Sequence, residues 1–307
     1  MVSNSSRGNT YTCSVVVPTC GRPEQLAICL ESLSRLETPA GGFEVVVVDD
    51  GSPQSLEQTV QPFLDIVELR LLRQPNSGPG AARNAGVAVS RGRFLAFTDD
   101  DCRPDREWLY RLVRRLDRNP DLLVGGKTLN SLDQNPYSTA SQIVMEMVYD
   151  FYNRDPSSSR FFASNNMAMS RRMFDLVGGF DTRTFSYVSE DRELCDRWHH
   201  LGHRLEFEPS AKILHAHVLD LRSFFTQHFR YGTGAARYHR VRRQRGSGRM
   251  AQDAVFHLQL PRLLRRALVG YSTRDKARLS ALMLVWQTAN ALGFLADLVR
   301  GTPPIDA

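Results

Sequence analysis

Three consecutive aspartates, Asp99, Asp100 and Asp101, close an apolar run in FLAFTDDDCRP, and a second pair, Asp49 and Asp50, closes FEVVVVDDGS. Adjacent carboxylates repel one another, so a cluster of this kind implies a counter-charge. Carboxylate oxygens suit a hard dication such as Mg²⁺ or Mn²⁺, which also takes diphosphate oxygens, and ribose hydroxyls suit the same edge. A turn or a helix cap would need one Asp rather than three. Later, SEDRELCDRWHHLGH places Glu190 and Asp191 in the first turn of an expected helix with Ser189 as its N-cap. AKILHAHV reads as a strand with His215 and His217 on one face. A histidine on a strand is commonly structural, and of this pair either one is a candidate metal ligand.

The elements that must position these groups alternate. YTCSVVV reads as a strand stopped by Pro18, and RPEQLAICLESLSRL as a helix behind a proline. FEVVVVDDGS is a continuous valine run that suits a buried parallel strand. LEQTVQPFL reads as a helix, ELRLLRQ as a strand, GPGAARNAGVAVS as a helix, FLAFTDD as a strand and DREWLYRLVRRLDRNP as an amphipathic helix. This predicts an α/β fold whose first part is a parallel sheet flanked by helices, with ligands beyond the carboxyl ends of the strands. The polar ends of VVVPT, VVVVDD and FTDDD all fall at that edge. After residue 121 the pattern is mixed: LLVGGKTL as a strand, YSTASQIVMEMVYDFYN as a helix, and RRMFDLVGGF as a short helix stopped by Gly178 and Gly179.

Beyond residue 220 the chain reads as helical and basic, with a break at RRQRGSGRM. Between residues 220 and 280 there are fourteen Lys and Arg against three Asp and Glu, while the whole chain is only +6, so the remainder is net acidic. Such a region faces phosphate, and an anionic membrane surface or a lipid-linked diphosphate is the expected partner. Aromatic platforms are sparse around the arginines, which argues against nucleic acid. ALMLVWQTANALGFLADLV is interrupted by Gln287, Thr288, Asn290 and Asp297, so it reads as a packed or interfacial helix. The five cysteines are scattered, odd in number and without a CxxC pair, which points away from a disulfide framework or zinc site and towards a reducing, cytoplasmic compartment. The N-terminus has no apolar core of a signal peptide.

From about Cys13 to about Tyr231 the chain resembles the family 2 glycosyltransferases of the GT-A fold. SVVVPTCGRPEQLAICLESL, VVVVDDGS, GPGAARNAGVAVSRGRFLAFTDDD, NNMAMSRRMFDLVGGFD and SEDRELCDRWHHLG follow one another in the family's order. The resemblance implies a nucleotide-sugar-binding part at 11–120 and an acceptor-side part at 121–219, and the residues outside them are expected to form a tail at 1–10 and a basic helical region at 220–307. It implies that Pro18, Thr19, Arg22, Arg83 and Asn166 meet the donor, and that Asp50 reads the base by accepting a uracil N–H. Asp99 and Asp100 would hold ribose hydroxyls or support the metal. Asp101 would ligate it, with His215 or His217 as a further ligand. Asp191 would be the catalytic base, beside Glu190.

In TQHFRYG, the residues Gln227, Arg230 and Tyr231 fit a Q-x-x-R-[W/Y] pattern on the acceptor side. Tyr stands for Trp and no cluster of membrane spans follows, so single-sugar transfer is expected rather than processive synthesis. The implied reaction moves a sugar, with inversion, from a nucleotide-diphosphate sugar (a uridine one favoured) to a lipid-linked or glycan-precursor hydroxyl. A sugar-phosphate nucleotidyltransferase would not need the Glu-Asp pair, and PTCGRPEQL fits its phosphate loop poorly. A non-catalytic binding module would be expected to lack either the third Asp or that pair. GPGAARNAG does not satisfy G-x-G-x-x-G, because Arg83 takes the last position.

Overall fold

The computed structural model describes residues 11–300 apart from Arg249 and the side chain of Gln252. The tail expected at 1–10 lies outside the described residues. Eight strands form one sheet: β1 (Tyr11–Thr19), β2 (Phe43–Asp50), β3 (Leu69–Gln74), β4 (Gly92–Phe97), β5 (Cys102–Pro104), β6 (Leu123–Asn130), β7 (Met167–Ser170) and β8 (Leu205–His215). Ten α-helices accompany them: α1 (Pro23–Ser34), α2 (Glu57–Val60), α3 (Pro79–Val89), α4 (Trp108–Arg118), α5 (Pro136–Tyr152), α6 (Arg171–Val177), α7 (Glu190–His200), α8 (Leu221–Arg245), α9 (Met250–Ala267) and α10 (Thr273–Arg300).

The order is β3-β2-β1-β4-β7-β6-β8-β5, with β3, β2, β1 and β4 parallel as the alternation predicts. β7 then runs antiparallel to β4 and β6, so the complete sheet is mixed. Period-two alternation sorts the core. Val15, Val17, Val45, Val47 and Ala96 pack on α1 and α4, while Val16, Val46, Val48 and Phe97 pack on α3, α6 and α7. Every residue of β2 is buried, because helices cover both faces. The helix expected over LEQTVQPFL is only α2 followed by a 3₁₀ turn at Gln61–Phe63, where Pro62 has no N–H to continue the α-helical ladder.

A third apolar cluster joins α5 to the C-terminal helices through Ile143, Met147, Phe224, Phe256, Leu282 and Trp286. α8 and α10 cross closely. A Cβ on Gly232 would lie 2.1 Å from the Asn290 carbonyl oxygen, and one on Gly293 would lie 1.9 Å from that of Phe229. α10 is long and apolar enough to cross a membrane. One of its stripes is nonetheless packed on α8 and carries Asp297, which pairs with Arg237 at 2.8 Å and Arg240 at 3.3 Å. The packed-helix expectation describes that stripe, while Leu284, Leu298 and Val299 on other faces are exposed.

Candidate active site

The carboxyl edge of the parallel strands gathers the first half of the site. Thr19 ends β1, Asp50 ends β2 and Asp99–Asp101 follow β4. The three aspartates divide the work. Asp99 and Asp101 face a cavity of about 1710 Å³, whereas Asp100 is fully buried and points back into the protein. Asp100 accepts the Thr19 hydroxyl at 2.7 Å and pairs with Arg22 at 2.9 Å. Burial, only partly offset by Arg22 and Thr19, pushes its carboxyl up to about 7. Of the two roles expected for Asp100, ribose contact and support of the metal, its burial leaves only a supporting one: it holds Thr19 and Arg22 in place, and those two side chains line the cavity.

A partner for Asp101 arrives from a distant part of the chain. β5 and β8 pair antiparallel with Cys102 opposite His215, and the Ala216 N–H donates to the Asp101 carbonyl at 2.9 Å. That register brings His215 Nε2 to 3.2 Å from Asp101 Oδ1. Burial pushes the Asp101 carboxyl up, but His215 and Arg22 outweigh it and hold the group well below the usual carboxylate range. Asp101, Cys102 and His215 together offer ligand atoms within 4.8 Å of one another. The Cys102 thiol is pushed well up by burial and stays protonated. The usable donors are thus a carboxylate oxygen and an imidazole nitrogen, which fit Mg²⁺ or Mn²⁺ sharing the rest of its shell with diphosphate and water.

Two expected ligands fall outside that group. Asp99 is tied to Arg83 at 2.6 Å. His217 lies beyond the end of β8, its ring 5.2 Å from that of His215, and it lines the cavity.

Arg83 joins the two halves of the site. Its buried guanidinium bonds Asp99 on one side and Glu190 at 3.0 Å on the other. Glu190 and Asp191 open α7, and both line the same cavity as Asp101. Burial and then the neighbouring Asp191 charge push Glu190 up to about 7, and burial likewise raises Asp191. Asp191 accepts backbone N–H bonds from Ser164 at 3.2 Å and Arg192 at 2.7 Å, which fix its orientation.

Ser189 does not cap α7 with its side chain as expected. It takes a left-handed φ of 68°, alone among the described non-glycine residues. Such strain persists only where the surroundings over-determine it, and it collects at functional sites. The GPG segment explains how α3 approaches this turn, since a Cβ on Gly78 would lie 1.9 Å from the Ser186 carbonyl oxygen.

Pro18, Arg22, Asp50 and Arg83 line the cavity, as do Gln227, Arg230 and Tyr231 on α8. The Asp50 carboxylate already accepts from Gln74 Nε2 at 2.7 Å, Ser77 N at 2.9 Å and Gly78 N at 2.8 Å, so it also organises the loop before α3. Asp49 accepts from Ser52 N at 2.8 Å and is a turn residue. Asn166 is corrected. It is fully buried, accepts from Trp108 Nε1 at 2.8 Å and donates to the Ala211 carbonyl at 3.2 Å, which makes it a brace between α4 and β8. Its neighbours Ser164 and Asn165 line the cavity instead. Neither these two nor Arg83's bridging role carries a local sequence signal. The far wall, with Tyr152, Tyr238, Phe256, Trp286 and Phe294, comes from α5 and α8–α10 and was likewise not expected.

A family model described as glycosyl transferase family 2 matches residues 14–178, and one described as the N-terminal domain of galactosyltransferase matches residues 145–218. The chain is 33% identical over 212 residues to a pre-mycofactocin glycosyltransferase of Mycobacterium tuberculosis, covering 66% of this chain and 44% of that one. It is 28% identical over 222 residues to a hyaluronan synthase of Pasteurella multocida, covering 62% of this chain and 23% of that one. It thus spans less than half the length of these relatives. Its fold is similar to that of mannosyltransferase PcManGT from Pyrobaculum calidifontis, solved in complex with GDP-Man and Mn²⁺, at a TM-score of 0.65 and 18% identity over 99% of this chain and 91% of that one.

Proposed function

The chain belongs to glycosyltransferase family 2 and has the GT-A fold, and from that premise we propose that it is an inverting, metal-dependent sugar transferase. The donor is a nucleotide-diphosphate sugar, a uridine one by preference, and the acceptor is a hydroxyl of a lipid-linked or cell-surface glycan precursor. One observation carries the reading: the Asp101–His215 pair and the Glu190–Asp191 pair line a single cavity, with Arg83 between them. Asp101 and His215 would hold Mn²⁺ or Mg²⁺. When bound, the dication neutralises charge on the departing diphosphate.

Arg22 and Thr19, fixed by Asp100, border the donor, and Asp99 is left facing the same space from Arg83. Asp191 takes the proton from the acceptor hydroxyl as that oxygen attacks the anomeric carbon. Its raised pKa brings its basicity nearer to the task. One base and no assigned nucleophile fit a direct displacement, which inverts the anomeric centre. Mn²⁺-dependent release of nucleoside diphosphate from a panel of UDP- and GDP-sugars tests this reading. Release from none of them, or release indifferent to chelation, would contradict it.

The buried Asp191 carboxyl has a pH signature. Asp191 works deprotonated, so the rate should fall on the acid side of a pKa that burial raises and the nearby Arg83 guanidinium lowers. Arg83→Gln removes that cation, and the acid limb of the pH–rate profile should move up by about one unit. An unmoved limb would mean that Asp191 does not feel Arg83.

Attachment to the cytoplasmic membrane face is proposed on the C-terminal helices. Arg237, Arg240, Arg242 and Arg245 of α8 pair with acidic residues inside the molecule. Exposed arginines remain on α9, where Arg262, Arg265 and Arg266 accompany exposed Leu258 and are followed by exposed Val269. Flotation with phosphatidylserine vesicles should be lost on changing those three arginines to Glu. Equal flotation of parent and variant would remove this face from the account.

A further inference from the structure

The cavity has a wall that the donor-side chemistry leaves unused. On α8, His228 is 1% exposed with neither ring nitrogen hydrogen-bonded, and its neighbour Gln227 has an unpartnered carbonyl oxygen. Across the crossing, Gln287 of α10 has an unpartnered side-chain nitrogen. These are four buried side-chain atoms without partners, and all three side chains line the cavity together with Trp286 and Tyr231. An unsatisfied buried polar atom costs about 1–3 kcal/mol, so four of them in one wall mark groups that a ligand completes.

The set is placed by its neighbours. The His228 ring lies 5.6 Å from that of Tyr231 and 6.5 Å from that of Trp286. Gln227 donates through Nε2 to the Tyr231 hydroxyl at 3.3 Å and to Ser141 Oγ at 3.4 Å, which leaves its carbonyl oxygen for another donor. Tyr231 feels the charges of Asp191 and Glu190, and His228 feels that of His217. The wall therefore lies near the base and near His217, whose ring is 5.2 Å from that of His215. It also lies beyond residue 218, where neither matched family model extends.

We propose that Gln227, His228, Trp286 and Gln287 form an acceptor subsite for a neutral hexopyranose ring. A neutral imidazole offers one donor and one acceptor, Gln227 Oε1 offers an acceptor and Gln287 Nε2 a donor. Hydroxyl groups serve all four. The indole of Trp286 supplies an apolar face for the ring. Burial pushes the His228 ring down to about 4, so it carries no charge at neutral pH. An anionic ring would find no buried cation among these side chains; Arg230 lines the same cavity but is exposed. The inference rests on the acceptor-side reading of this cavity and names the class of group that enters it.

The test uses the full chain with Mn²⁺ and UDP. Of the three tryptophans, Trp108 and Trp198 are fully buried in the sheet's cores and only Trp286 lines the cavity. Titration with the methyl β-pyranosides of glucose, galactose and N-acetylglucosamine should give a saturable change of intrinsic fluorescence for at least one of them. Methyl β-glucuronide should give a weaker one. Trp286→Phe should abolish the signal, and His228→Leu and Gln287→Leu should each weaken binding at least tenfold with UDP affinity unchanged. Both Leu variants should melt no lower than the parent, because each removes an unsatisfied polar group. No response to any neutral pyranoside, a stronger response to the glucuronide, or Leu variants that bind as the parent does would overturn the subsite. A parent chain that binds a pyranoside but not UDP would instead count against the donor reading and leave the subsite standing.

Discussion

Asp191→Asn is expected to bind donor and Mn²⁺ as the parent does while its transfer rate falls by about 10²–10⁴-fold, the usual contribution of a positioned general base. The substitution keeps the shape and one acceptor oxygen; Ser164 and Arg192 donate to different carboxylate oxygens, so one of the two N–H bonds is retained and one is lost. It removes the only feature the reaction needs from this residue, a lone pair basic enough to take a proton. Asp191 sits behind the strained Ser189 and beside Glu190, so losing one negative charge relieves repulsion there, which offsets the lost N–H bond and lets the variant fold. Single-turnover transfer measured beside calorimetric donor binding separates the two effects. A variant that transfers at the parental rate would remove Asp191 as the base.

Asp101→Ala is expected to act on the other half of the cavity. With Mn²⁺ present, donor affinity should fall at least about 100-fold, more than loss of a supporting contact outside the ligand shell costs a metal site. Without metal the two proteins should differ little. A stability signature accompanies it. The folded-state pKa of Asp101 is depressed, so its ionised form stabilises the fold above the ordinary carboxylate range, and that contribution is lost as pH falls through the depressed value. In metal-free buffer the melting temperature of Asp101→Ala should therefore lie below the parent at neutral pH, with the gap closing in acid. Metal-dependent donor affinity equal to the parent's would show that the dication is held elsewhere.

Much of this site is local enough to read from residue types. The strand ends at Thr19, Asp50 and Asp99–Asp101 follow from apolar runs that stop at polar residues, and parallel β-α order places them on one edge. The family motifs supply Asp191 in the same way. What could not be read is set by contacts distant in sequence. Whether Asp100 or its neighbours face the ligand depends on Arg22 and Thr19 drawing it inward. His215 rather than His217 meets Asp101 because of the β5–β8 register, which no local pattern encodes. Asn166 sits in a recognisable motif yet is consumed by Trp108 and Ala211, contacts far from it along the chain. Arg83 looked like a donor contact; its second bond, to Glu190, spans 107 positions and turns it into the link between two motifs. The cavity wall carrying His228, Trp286 and Gln287 depends on the α8–α10 crossing at Gly232 and Gly293, whose close approach shows only in three dimensions.

The central claim is that one cavity holds a dication at Asp101 and His215 and a base at Asp191. Anomalous diffraction from crystals of the full chain grown with Mn²⁺ and UDP tests it directly. The account predicts a manganese peak coordinated by Asp101 Oδ1 and His215 Nε2, with the diphosphate bound to it and its terminal phosphate open to Asp191 across the cavity. Manganese bound without either of those ligands, or a diphosphate whose terminal phosphate is walled off from Asp191, would contradict it.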